Sequence, residues 1–207
     1  SVPIVIYNGG FYDISEFNIT TRIVDNQGLT IATSSTFVPL IPQGVNTTIT
    51  HKASLSIGQA AAKNLTHLLF NDSDLGVEAL VGLTYARVLP VEIGANLTMP
   101  WGAPFANLTL GHLSVSSYNA THVRVTMPFS FENHAFVEMN GTVRIELVDN
   151  LNRIAGRSET GFDVPSGTPF HTDIQVFVPN DRASIRQARL FFLTPLFTYG
   201  PLVIALG

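Results

Sequence analysis

The sequence predicts an all-β chain made of two tandem immunoglobulin-like β-sandwiches from an internal duplication, each with one short helix. Three observations predict it. Short segments alternate apolar and polar residues with a period of two, as half-buried strands do. Turn residues punctuate those segments at regular intervals. The same order of strands, turns and helix recurs at a spacing of ~123 residues, the mark of a duplicated domain rather than a solenoid. The 207 residues give room for one large or two small β domains with a packed core.

The chain opens on Ser1-Val2-Pro3-Ile4-Val5-Ile6-Tyr7-Asn8, an uncharged apolar run closed by Gly9-Gly10. Val2, Ile4 and Ile6 alternate with Pro3, Val5 and Tyr7, so the run reads as a strand with two apolar faces. The glycine pair frees it from the next segment of the chain. A strand this apolar must be buried, either in its own sheet or in a groove of a neighbouring copy by strand addition. Residues 1–8 are therefore expected to be a donor-strand arm, with Val2, Ile4, Val5 and Ile6 at a subunit interface.

Phe17, Ile19 and Ile23 alternate with Asn18, Thr20 and Arg22 in a half-buried strand that ends in the turn Asp25-Asn26-Gln27-Gly28. Leu29 to Val38 is a second strand, Pro42-Gln43-Gly44 a turn, and Thr47 to Ile57 a third strand. Ser56 to Leu69, carrying Gln59-Ala60-Ala61-Ala62-Lys63, is the helix candidate. Leu75 to Met99 reads as two strands with a break at Pro90.

The second half repeats the same plan: Val123 to Asn133, Thr142 to Asp149 with Asn150-Leu151-Asn152, Pro165-Ser166-Gly167, and Thr172 to Val178. Ala183 to Phe192, with Ile185, Ala188 and Leu190, takes the place of the helix. Two uncharged strands close the chain, Leu193 to Tyr199 and Pro201 to Gly207. Read as a membrane anchor, Leu190 to Gly207 is barely long enough and is interrupted by Pro195, Gly200 and Pro201. The first sandwich is assigned to 9–113 and the second to 114–207. The boundary falls in Pro100–Pro104 or in Ser114–Thr121. Trp101, the single tryptophan, reads as a packing plug at the junction.

Charged residues make up only 13% of the chain, roughly half the usual share. The net charge is −4 with no basic run, which argues against nucleic acid as a partner. There is no cysteine, and hence no disulfide, thiolate metal site or cysteine nucleophile. The start at Ser1 without Met suggests a processed chain. Eight N-x-[ST] sequons occur, at Asn18, Asn46, Asn64, Asn71, Asn96, Asn107, Asn119 and Asn140, and seven of them use Thr. Composition alone predicts about two. The excess points to an exported, heavily N-glycosylated chain whose sugars supply the polarity its side chains lack. The last sixty residues carry no sequon, so that end is expected to be buried or covered.

Signals for chemistry are thin. His51, His67, His112, His122, His134 and His171 are scattered, with no helical metal-ligand spacing. There is no Gly-x-Ser-x-Gly, no phosphate-binding glycine loop and no dinucleotide fingerprint. Asp72-Ser73-Asp74 lacks a full oxygen set for calcium and reads as a solvated turn. Glu132 and His134 share a strand face without a nucleophile beside them. The chain reads as non-enzymatic, with no cofactor, metal or small-molecule substrate.

Each half resembles the water-stress β-sandwich domain of late-embryogenesis-abundant proteins. Ile6-Tyr7-Asn8 with Phe17 to Gly28, and Phe131-Glu132-Asn133 with Val143 to Asn152, carry that likeness. The whole is similar to archaeal surface filament subunits, the thread-like pili, in its sequon density, missing cysteines, apolar first strand and two-sandwich length. That resemblance implies an extracellular, cell-surface homopolymer joined head-to-tail by donor-strand complementation, with other copies and N-linked glycans as partners. The C-terminal strand Leu202 to Leu206 is the other possible donor. The alternative is a monomeric or membrane-tethered envelope glycoprotein acting as a binding module.

Overall fold

The computed structural model describes residues 2–54 and 66–206, which are almost entirely antiparallel β-sheet. The fold is all-β. The chain divides into two compact units, one of residues 1–59 and 73–101, the other of residues 60–72 and 102–207. The division thus lies at Trp101/Gly102, within Pro100–Pro104, and not at 113/114. The cause is the strand Ala106–Leu110, which pairs into the second unit's sheet.

In the first unit the strands are β1 (Val2–Tyr7), β2 (Ile14–Val24), β3 (Thr30–Ile41), β4 (Asn46–His51), β5 (Ser73–Tyr85) and β6 (Leu89–Trp101). They form a sheet of order β3-β2-β5-β6 and a two-stranded sheet β1-β4. The β5–β6 turn falls at 86–88, so Pro90 lies inside β6, an edge strand where its missing N–H costs nothing. Phe17, Ile19 and Ile41 are buried between the two sheets, against Ile4, Ile6 and Ile49.

The second unit holds a four-residue helix α1 (His67–Phe70) and strands β7 (Ala106–Leu110), β8 (Ser114–Ser117), β9 (His122–Asn133), β10 (Met139–Asp149), β11 (Ile154–Val164), β12 (Thr168–Pro179), β13 (Ile185–Leu193) and β14 (Thr198–Ala205). One sheet runs β11-β10-β13-β14. The other runs β12-β9-β7, with β8 also on β9. Phenylalanines from both sheets meet in the core: Phe105 lies 4.3 Å from Phe192, and Phe131 lies 5.5 Å from Phe162, centroid to centroid.

The two units repeat one strand order. β3-β2-β5-β6 corresponds to β11-β10-β13-β14, and β4-β1 to β12-β9. The local devices repeat as well. Buried Asn8 donates to the carbonyls of Tyr12 and Ile41, and buried Asn133 to those of Val137 and Val164. The Asp25 carboxylate accepts from the amides of Gln27 and Leu29, and that of Asp149 from Leu151 and Arg153. Gly44 and Gly167 adopt φ of 70° and 74°, where a Cβ is disfavoured, and donate to the carbonyls of Asn8 and Asn133.

One expected element is corrected. Ala183 to Phe192 is no helix: a single 3₁₀ turn at Asn180–Arg182 leads into strand β13. Ala188, Leu190 and Phe192 are fully buried at a spacing of two, so the strand period decides. The other helix candidate, Gln59 to Lys63, lies outside the described residues. Its C-terminal neighbourhood carries α1, whose Leu68 and Leu69 are buried. No helix among the described residues is long and apolar enough to cross a membrane.

Candidate functional site

The predicted donor strand sits in its own unit. β1 pairs antiparallel with β4 over its whole length, with Ile4 opposite Ile49, Val5 opposite Thr48 and Ile6 opposite Thr47. Ile4 and Ile6 turn inward onto Phe17, Ile19 and Ile41. Val5 and Tyr7 turn outward and are 65% and 66% exposed. The four predicted interface residues therefore split between two faces. Ile4 and Ile6 anchor the strand, Val5 faces solvent, and Val2 is described only by its backbone pairing with His51. After β1 the Asn8 side chain pins the chain to Ile41, and Gly9-Gly10 come next.

Among the described residues the first unit has fewer strands than the second. β9 has β12 on one edge and β7 with β8 on the other. β1, its counterpart, has β4 on one edge and no described strand on the other. The consequence is visible across the core. Cross-strand partners share a face. Ile19 and Ile23 point inward, so their partners Val81 and Val77 on β5 do too, and so do Ile93 and Leu97 opposite these on β6. Ile93 is 62% exposed and Leu97 67%. In the second unit the counterpart of β6 is β14, whose Tyr199, Leu202 and Ile204 are half-buried, and the counterpart of β5 is β13, whose Ala188, Leu190 and Phe192 are fully buried, with Phe105 lying on Phe192. The alternation of Val91, Ile93, Leu97 and Met99 was legible as a strand with an apolar face. Its exposure among the described residues was not legible, because it depends on which strands lie beside it.

Seven of the eight sequons fall among the described residues. Asn46, Asn71, Asn96, Asn107, Asn119 and Asn140 are exposed, and Asn18 is half-buried. Asn64 lies outside the described residues. Asn96 stands opposite Glu78, which bonds Arg22 at 2.7 Å on the outer face of the β3-β2-β5-β6 sheet. Asn18 shares that outer face, donating to Thr20 and accepting from Ser35. The inner face of β5–β6 carries no sequon, so glycans on Asn18 and Asn96 would leave it open.

A second cluster joins residues far apart in sequence. His134 comes directly after β9 and presents Nδ1 to Asp72 at 2.7 Å and Nε2 to Glu132 at 2.9 Å. Both nitrogens can donate to carboxylates only when the ring is protonated. The bond to Glu132, and next that to Asp72, raises the His134 pKa above its usual range. Glu132 is held low by His134 first and by Asn107 second. Burial pushes Asp72 upward, but the Ala103 amide and His134 outweigh it and bring its pKa down. Asp72 is thus half of an ion pair rather than part of a free turn with Ser73 and Asp74, which open β5. Both His134 nitrogens are engaged, and among the described residues no group of three or more His, Asp or Glu is placed to hold a metal ion. Buried His51 is satisfied by the hydroxyls of Thr21 and Thr36.

The His134 cluster has a definite pH signature. A raised histidine pKa means that its contribution is fully present below about pH 6.5 and is lost as pH rises through the folded-state value. The lowered Asp72 and Glu132 act oppositely, and their contribution is lost as pH falls through their folded-state values. Thermal unfolding of the second unit is expected to move down in temperature from weakly acidic to mildly alkaline pH. His134→Gln should flatten that dependence, and an unchanged profile in the variant would remove His134 from the account.

No known family and no curated protein matches the chain.

Proposed function

We propose that this chain is the structural subunit of a glycosylated extracellular filament, built head-to-tail by exchange of β1 between copies. The observation that carries the reading is the way β1 is held. Among the described residues it has one ladder partner, β4, with two inward side chains and a Gly-Gly tether. A two-stranded sheet is marginal by itself. The β1 of a neighbouring copy offers β4 the same ladder and offers Phe17, Ile19 and Ile41 the same Ile4 and Ile6. Exchange therefore trades identical contacts, and a head-to-tail series of exchanges that does not close is a fibre. The sequon density supports an exported, sugar-coated surface.

The monomeric binding-module reading has one observation in its favour, the pairing of β1 with β4 of its own chain. One experiment separates the two. Val5 and Thr48 face each other on the outer side of the β1-β4 ladder, and the chain has no other cysteine to interfere. Val5→Cys with Thr48→Cys is expected to give a ladder of covalently linked copies on a non-reducing denaturing gel when native assemblies are oxidised. Deleting residues 1–8 should abolish fibres in negative-stain electron microscopy. Monomers alone on the gel, or fibres surviving the deletion, would rule out exchange.

A further inference from the structure

We propose that the first unit carries a seat for a sugar: the first residue of a glycan on Asn18, a neutral pyranose, lies in a recess over Gly82 between Glu16 and Glu92. This rests on the reading of the chain as N-glycosylated. One row of side chains crosses the outer face of the β3-β2-β5-β6 sheet. Phe37 stands opposite Asn18, Asn18 opposite Gly82, and Gly82 opposite Glu92. Asn18 therefore has an aromatic ring on one flank and a missing side chain on the other. On that second flank lies a recess of about 450 Å³, whose lining includes Glu16, Asn18, Gly82, Thr84, Pro90 and Glu92. Gly82 is explained neither by its backbone nor by its neighbours. Its φ is not in the left-handed region, and a Cβ there would meet nothing within 4 Å among the described residues. By contrast, a Cβ on Gly76 of the same strand would strike Val24 at 2.7 Å. A glycine inside a strand weakens it, and marks a place where a ligand or another backbone comes close.

The linkage is aimed by its neighbours. Asn18 Oδ1 accepts from the Ser35 hydroxyl at 2.7 Å, and Nδ2 donates to Thr20 Oγ1 at 3.2 Å. Nδ2 carries two hydrogens, so one is left over for the sugar. The anomeric carbon takes its place, and the proton and carrier phosphate leave from an activated, lipid-linked sugar donor. The bond to Thr20 persists on the remaining N–H. With the amide plane held by two bonds and Phe37 standing on one flank, the open side is the one over Gly82. The walls then select the sugar. Glu16 and Glu92 are exposed carboxylates, which accept charge-assisted hydrogen bonds from sugar hydroxyls. Glu16 is presented by a register shift between Ser15 and Asn18, and Thr84 Oγ1 donates to its Oε2 at 2.8 Å. No cationic side chain among the described residues lines the recess. Two carboxylates there repel a uronate or a sulfated sugar, which leaves a neutral hexose or N-acetylhexosamine. Asn96, on the same face, stands beside the Glu78–Arg22 pair instead and lines no part of this recess.

The test crosses two substitutions in the full chain, purified from cells that glycosylate it. Glycopeptide mass spectrometry first reads the occupancy of Asn18 in each protein. Gly82→Val fills the recess, and Asn18→Gln removes the sugar while leaving the other sequons. Without the sugar, Gly82→Val is expected to raise the thermal midpoint of the first unit, because valine is the better strand former and its Cβ meets no neighbour. With the sugar, the same substitution is expected to lower the midpoint by about 2 °C or more, because the ring is displaced. A second variant leaves the backbone alone. Glu16→Gln with Glu92→Gln should lower the midpoint of the glycosylated chain and not that of Asn18→Gln. An effect of either variant that is the same with and without the sugar would overturn the seat and leave the glycosylated reading standing. An Asn18 that carries no sugar while other sequons do would have the same meaning. A chain with no sugar at any sequon would overturn both.

Discussion

Replacing Phe105 with alanine is expected to destabilise the second unit by about 3–5 kcal/mol, the usual cost of truncating a fully buried phenylalanine. Phe105 has no exposed surface. Its ring centroid lies 4.3 Å from Phe192, 5.1 Å from Phe131, 5.9 Å from Phe162 and 6.1 Å from Phe197. Those neighbours come from both sheets, so no single element can close the void by a small shift. Phe105 also fixes the chain: its amide donates to the Leu69 carbonyl at 2.9 Å and docks α1 beside β7. Hydrogen exchange read by mass spectrometry gives the measure. Protection should fall in β9, β10 and β13 and stay unchanged in β2 and β3 of the first unit. A loss below 1 kcal/mol, or equal loss in both units, would mean that the phenylalanine cluster is not the second unit's organising core.

The sequence showed the parts of this architecture that come from local rules and hid those that depend on a neighbour. Asp25-Asn26-Gln27-Gly28 and Asp149-Asn150-Leu151-Asn152 announced turns because an Asp side chain accepts amides two and four residues on, and both do. Phe17, Ile19 and Ile23 announced a strand face through their period of two. Ala183 to Phe192 misled because Ile185, Ala188 and Leu190 also satisfy a helical spacing, and an ungapped apolar run does not separate the two periods. Burial of Ala188, Leu190 and Phe192 at a spacing of two decides it, and Phe105, which lies on Phe192, is far away in sequence.

The candidate sites divide in the same way. A strand such as Val2–Tyr7 declares that it needs a partner but not which copy carries that partner, since β4 offers one ladder to either. The exposed side of Ile93 and Leu97 was out of reach, because exposure depends on which strands pack opposite, and the spacing of one strand does not carry that. Glu132 and His134 were visible as a pair two residues apart. Asp72, 62 residues from His134, was not.

Gly102→Ala is expected to cost about 3 kcal/mol or more, at the upper end for overpacking, because backbone rather than a yielding side chain stands in the way. A Cβ on Gly102 would lie 1.8 Å from the His134 carbonyl oxygen and 2.5 Å from its carbon. The segment has to retreat, and two hydrogen bonds oppose the retreat. The His134 amide donates to the Ala103 carbonyl at 2.9 Å, and the Ala103 amide donates to Asp72 Oδ1 at 2.8 Å. Breaking the second also removes one of the two interactions that hold Asp72 ionised, so the ion pair with His134 weakens along with the backbone. The position matters beyond its local cost. The chain leaves the second unit after Asp72 and re-enters it at Gly102, and both of these residues meet His134. Gly102→Ala should therefore lower hydrogen-exchange protection in β7 and β9 by far more than His134→Gln does, and at every pH. The side-chain variant touches only the titrating contacts, whereas the glycine variant displaces the backbone that presents them. Equal effects from the two substitutions would show that the backbone seat contributes nothing of its own. A neutral Gly102→Ala would show that the approach of residue 102 to His134 is looser than 1.8 Å implies.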